Sequence, residues 1–186
     1  MKENLKNLIY SALFLALGFV LPMLTGQIPV VGQALLPMHI PVFLCGLICG
    51  AKYGALLGFS LPLLRSLIFS VPVMYPTAIA VAFEMAAYGL LSGLLYSRSK
   101  RKSLFALYSV IVAAMIVGRI VRCIAQMALL GLFGNPFVWQ TFFSGVIVSS
   151  VPGIILQLII IPAVMVAARR TAPITSRKNR ATARTP

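Results

Sequence analysis

The sequence predicts an all-α integral membrane protein, a bundle of six transmembrane helices with both termini cytoplasmic. Three observations predict it. Of 186 residues, 60% are hydrophobic and only 10% charged, and the mean hydropathy of +1.00 is far from that of a soluble globular domain. The apolar residues fall in continuous runs rather than amphipathic stripes, near the length of about 20 residues that spans a bilayer. Finally, the charges are distributed by side: thirteen of the sixteen Lys and Arg lie at the ends of these runs, all on one side for an even number of spans.

Taken in order, the helices are expected near 5–24, 37–50, 54–71, 76–97, 104–131 and 139–168. The first follows Lys2 and Lys6; it is too long, and lacks the small-residue cleavage site, for a secretory signal. The second opens on Pro37-Met38-His39-Ile40-Pro41 and is short. Gly50 and Gly54 punctuate the turn into the third, and Pro72 and Pro76 bound the connection into the fourth. The fifth and sixth are long enough to tilt or project. Lys52, the cluster Arg98, Lys100, Arg101 and Lys102, and the tail from Arg169 hold the remaining flanking charge, whereas segments 25–36, 72–75 and 132–138 carry none. Because cytoplasmic loops collect Lys and Arg, the charged side is assigned to the cytoplasm. Residues 1–168 form one membrane domain, and 169–186 a basic, disordered tail.

This topology explains the net charge of +14 without nucleic acid, which requires a soluble basic face with base-reading groups. Anionic lipid is the expected partner of the tail. Cys45, Cys49 and Cys123 lie within spans, and no further soft ligands accompany them, so neither a disulfide framework nor a metal site is read from them. No cofactor is implied. The chain has no G-x-x-x-x-G-K-[ST] phosphate loop, no H-E-x-x-H and no G-x-S-x-G. An intramembrane hydrolase built on Ser149 or Ser150 with His39 is the weakest of the functional readings. A stand-alone carrier or channel-like protein is the second.

Four charges do fall inside the spans: Arg65, Glu84, Arg119 and Arg122. Charges at bilayer depth are costly and face a cavity or a partner helix. Arg65 and Glu84 sit at similar depths, which permits an ion pair. Arg119, Arg122 and Gln126 share one helical face. Three guanidiniums against one carboxylate leave an excess of positive charge suited to an anionic ligand. Asn135 and Trp139 add polar groups at the outer ends of helices, and Gln33, His39 and Tyr75 stand in or beside the uncharged outer loops that are placed to gate the site.

Small residues recur at four-residue spacing: Ala12 and Ala16, then Gly46, Gly50, Gly54 and Gly58, then Gly89 and Gly93. Such faces let helices approach closely in lipid, whether within the bundle or against another subunit. The pattern alone does not separate the two uses.

Together, Ser11-Ala12-Leu13-Phe14-Leu15-Ala16, Leu36-Pro37-Met38-His39-Ile40-Pro41-Val42, Gly50 to Gly58, Pro62 to Ser66, Phe83 to Leu90, Gly118 to Val121 and Pro152 to Gln157 resemble the substrate-binding S components of energy-coupling-factor (ECF) vitamin transporters. The resemblance covers nearly all of the chain up to the tail. It implies a vitamin or related micronutrient bound near the outer face, under the loops after helices 1 and 3. It implies partnership with a membrane scaffold subunit and two cytoplasmic ATPases, with Ala12 and Ala16 matching the family's scaffold-docking A-x-x-x-A face. Arg119, Arg122, Gln126, Arg65, Glu84, Asn135 and Trp139 are then the expected substrate-binding residues. The pattern of the thiamin-binding branch is missing, and the arginine excess favours a carboxylate-bearing vitamin, pantothenate first.

Overall fold

A computed structural model describes residues 2–24, 37–99, 103–132 and 151–171. Among the described residues there are six α-helices and no strand: α1 (Lys2–Leu24), α2 (His39–Cys49), α3 (Ala51–Phe69), α4 (Ile79–Arg98), α5 (Leu104–Leu132) and α6 (Val151–Thr171). Four segments are long and apolar enough to cross a membrane: 4–23, 74–98, 104–131 and 151–168. The chain is therefore multi-pass. The expected start of the last helix, 139–150, lies outside the described residues, as do loop 25–36 and the tail beyond 171.

Helix α2 is the centre of the bundle. Its 11 residues extend about 16 Å, roughly half the hydrocarbon thickness. All of them but Ile48 are buried, as expected of a helix that is apolar all round. α1, α3, α4 and α6 pack around it. A single residue, Gly50, joins α2 to α3; its φ of 98° is costly for any residue with a Cβ, so the turn is available only to glycine. Gly50 also donates its N–H to the carbonyl of Gly46 and accepts from the N–H of Gly54, closing both helix ends.

The glycine spacing is used inside the bundle. A Cβ at Gly54 would stand 2.6 Å from the Cα of Gly46 and 2.7 Å from the carbonyl oxygen of Gly89, and one at Gly58 would strike the backbone of Met85. A side chain at Gly46 would collide with Ser92 and Gly89, and one at Gly93 with Ala51. α2, α3 and α4 thus meet backbone to backbone, the contact by which helices associate where lipid removes the hydrophobic driving force. Helix α1 differs. Gly18 and Phe19 face Leu61 and Phe69 of α3, and Ser11 Oγ lies 3.5 Å from Cys45 Sγ. Ala12 and Ala16, with Leu5, Ile9, Leu13 and Val20, are exposed.

Entry into α4 runs through a wide helical turn that contains the expected start at residue 76. Tyr75 precedes a proline and is extended (φ −114°, ψ 133°), because the proline ring disfavours helical geometry in the residue before it. The chain makes a wide turn over Met74–Ala78, in which the N–H of Ala78 donates to the carbonyl of Val73 at 2.9 Å. Only then does the regular helix begin.

Candidate functional site

The site grows from the antiparallel pair α4 and α5. Near one end, the Tyr75 hydroxyl donates to the carbonyl oxygen of Leu129. Farther along, Gly118 leaves room for the ring of Tyr88, which any side chain there would meet. Both contacts set one register, and it brings Glu84 opposite the stretch from Arg119 to Arg122. The carboxylate of Glu84 is fully buried and is held by two guanidiniums: Arg122 Nη1 donates to Oε2 at 3.0 Å, and Arg119 Nε lies 3.4 Å from Oε1. The Tyr88 hydroxyl donates to Oε1 at 2.6 Å. Tyr88 is itself fixed by Phe43, stacked at 5.0 Å, and by His39, with ring centroids 5.5 Å apart.

The expected Arg65–Glu84 pair is not formed. Its physical reason is register. Gly58 faces Met85 and Gly54 faces Gly89, so Arg65 of α3 is level with Ala78 of α4. That is six residues, about 9 Å at 1.5 Å each, from the level of Glu84. Glu84 is in any case saturated by α5. Arg65 is 2% exposed, and its Nε and Nη1 are buried without a hydrogen-bond partner. Its guanidinium carbon stands 5.7 Å from the centre of the Phe69 ring. The neighbouring Ser66 hydroxyl is also buried and unpaired.

Gln126 lies one turn beyond Arg122 on α5, and the α4–α5 register places it too level with Ala78. Its Oε1 is buried without a partner, as are Arg122 Nε and, on α6, Gln157 Nε2. Buried polar atoms are seldom left unpaired. His39 is 2% exposed in the first turn of α2, within the core rather than on a loop. Of the remaining expected residues, Gln33, Asn135 and Trp139 fall outside the described residues. Ala12 and Ala16 belong to the exposed face of α1, away from this cluster.

Sequence reasoning passed over Tyr88, Gly118, Ser66 and Gln157. Tyr88 was detectable, since it follows Glu84 at the four-residue spacing that puts two side chains on one helical face. Gly118 was not, because its reason is a ring contributed by another helix.

The decisive comparison concerns the whole chain. Residues 6–165 match the family described as ECF transporter, substrate-specific component. The chain belongs to that family. It is an ECF substrate-specific (S) component, a multi-pass membrane protein of a transport system, and the buried polar cluster lies within the matched region. No curated protein and no solved structure matches it.

Proposed function

We propose that this S component captures a small anionic solute, a carboxylate-bearing vitamin with pantothenate as the first candidate, at the outer face of a bacterial cell membrane. The observation that carries the reading is the charge count of the buried set. Three guanidiniums, those of buried Arg65 and of the partly exposed Arg119 and Arg122, stand against the single carboxylate of Glu84. Guanidinium does not deprotonate in proteins, so about two positive charges remain in a low-dielectric interior. An anion relieves that excess, and a cation such as thiamin adds to it.

In this reading all six helices cross or enter the membrane, both termini are cytoplasmic, and the Tyr75 end of the bundle is the outer end. The solute enters there, above the Ala78 level where Arg65 and Gln126 lie, with Gln33, Asn135 and Trp139 contributing from the outer segments. A scaffold subunit docks on the exposed Ala12–Ala16 face of α1. Two cytoplasmic ATPases energise release, since this chain has no phosphate loop of its own. The basic tail rests on anionic lipid.

The test is uptake of radiolabelled pantothenate and of other carboxylated vitamins by cells expressing this chain, with and without a scaffold-plus-ATPase module. Uptake that requires the module supports the proposal. Uptake without the module favours a stand-alone carrier, and no uptake of any anionic vitamin overturns the ligand class.

A further inference from the structure

The two halves of the positive excess are not equivalent. The sequence contains only two acidic residues, Glu3 and Glu84. Glu84 is held by Arg119, Arg122 and Tyr88. Among the described side chains, no carboxylate reaches Arg65. Its guanidinium is nonetheless 2% exposed, with Nε and Nη1 unpaired. The Phe69 ring at 5.7 Å supplies a cation–π contact, which offsets only part of the cost of burying a charge.

We propose that Arg65, rather than the arginines bound to Glu84, receives the anionic end of the ligand, its unpaired guanidinium N–H groups donating to a carboxylate contributed from outside the chain. This rests on the anionic-solute reading above and assigns the recognition to one residue. Nε and Nη1 are two free charged donors, and a carboxylate accepts a charge-assisted hydrogen bond from either. Ser66, the next residue, holds a buried free hydroxyl. Gln126 offers a free acceptor at the same level across α4, suited to a hydroxyl or amide N–H in the body of the same solute. Arg119 and Arg122 are then positioning residues: they hold Glu84 and Tyr88, and through Gly118 and the α4–α5 contact they fix the wall of the site. The ligand class is accordingly a carboxylate with hydrogen-bonding groups behind it. A phosphate on a lipid headgroup offers the same anionic oxygens to Arg65, and the experiment separates the two sources.

The experiment is a thermal-melting series on the purified full-length protein in a neutral detergent, for the wild type, Arg65→Gln, Arg65→Lys and Arg122→Gln. The probes are pantothenate, its neutral alcohol analogue panthenol, and phosphatidylglycerol. In the wild type, pantothenate is expected to raise the melting temperature and panthenol to do so far less. Arg65→Gln is expected to melt higher than the wild type without ligand, because an unpaired buried charge has been removed. It should bind pantothenate about 10–100-fold more weakly and no longer distinguish it from panthenol. Arg65→Lys keeps the charge without the planar guanidinium and should be intermediate. Arg122→Gln should melt lower without ligand yet still prefer pantothenate.

If Arg65→Gln melts lower than the wild type, or keeps the preference for the carboxylate while Arg122→Gln loses it, the assignment to Arg65 is overturned and the anionic-solute reading survives. Stabilisation of the wild type by phosphatidylglycerol alone, absent in Arg65→Gln, assigns Arg65 to lipid and overturns the proposal. A wild type that no carboxylated vitamin stabilises removes the anionic-solute reading, and this assignment with it.

Discussion

At the scale of the residue, Glu84 organises the interior. A buried carboxylate between two guanidiniums and a phenol is not stabilising in itself, because desolvating the charges costs about as much as their attraction returns. Breaking the arrangement is another matter. Glu84→Gln leaves two guanidiniums without a counter-charge and is expected to destabilise the protein by about 3–5 kcal/mol, read as a lower melting temperature in detergent. Tyr88→Phe deletes one hydrogen bond to a charged group and should cost about 1.5–3 kcal/mol. Equal stability of the wild type and Glu84→Gln would mean that the ion pairs do not form. The need for such a centre was legible in the sequence, since charges within apolar runs announce themselves. The partners were not. Arg65 and Glu84 looked equally deep because each was measured from its own helix end, whereas depth is set by how α3 and α4 slide past one another, and Gly54, Gly58 and Gly89 fix that.

At the scale of the element, one motif stands in two environments. Small residues four apart read alike in α1 and in α2 to α4, yet Gly54, Gly58 and Gly89 press backbone on backbone, and Ala12 and Ala16 are exposed. Substitution should separate them. Gly89→Ala is expected to cost about 1–3 kcal/mol through overpacking, because its Cβ meets the backbone of Gly54. Replacing Ala12 and Ala16 with Leu should leave the melting temperature and ligand binding unchanged, while abolishing co-purification with the scaffold and ATPases. Co-purification undiminished in the Leu variant would show that docking uses another face. Helix positions were largely readable from apolar length: α5 was expected at 104–131 and is found at Leu104–Leu132. The fourth span was expected at 76–97, where Pro76 reads as a helix opener, and the helical stretch there runs over Met74–Arg98.

At the scale of the whole molecule, an outward-facing site requires the Tyr75 end of the bundle to face outward. The Arg65–Gln126 level lies toward Tyr75, and Lys52 and Arg98 lie at the opposite end. The basic-side rule places that opposite end in the cytoplasm. A single cysteine at Val73, which is 66% exposed, introduced into a cysteine-free background, should react in intact cells with a membrane-impermeant maleimide. One at Lys52 should react only after permeabilisation. The reverse pattern inverts the topology and removes the outward-facing site. The all-helical membrane class was legible in the sequence because composition is a property of whole segments. The ligand was not, because it depends on which charges remain uncompensated after folding.

The central claim is that this S component binds an anion, and equilibrium stabilisation by ligand tests it most directly. The measurement is the melting temperature of the purified protein against a panel of water-soluble vitamins sorted by charge, since a ligand that binds only the folded state raises it by mass action. A rise confined to carboxylated members, pantothenate foremost, is the expected result. A rise with thiamin or with neutral vitamins, and none with the anions, would contradict the account.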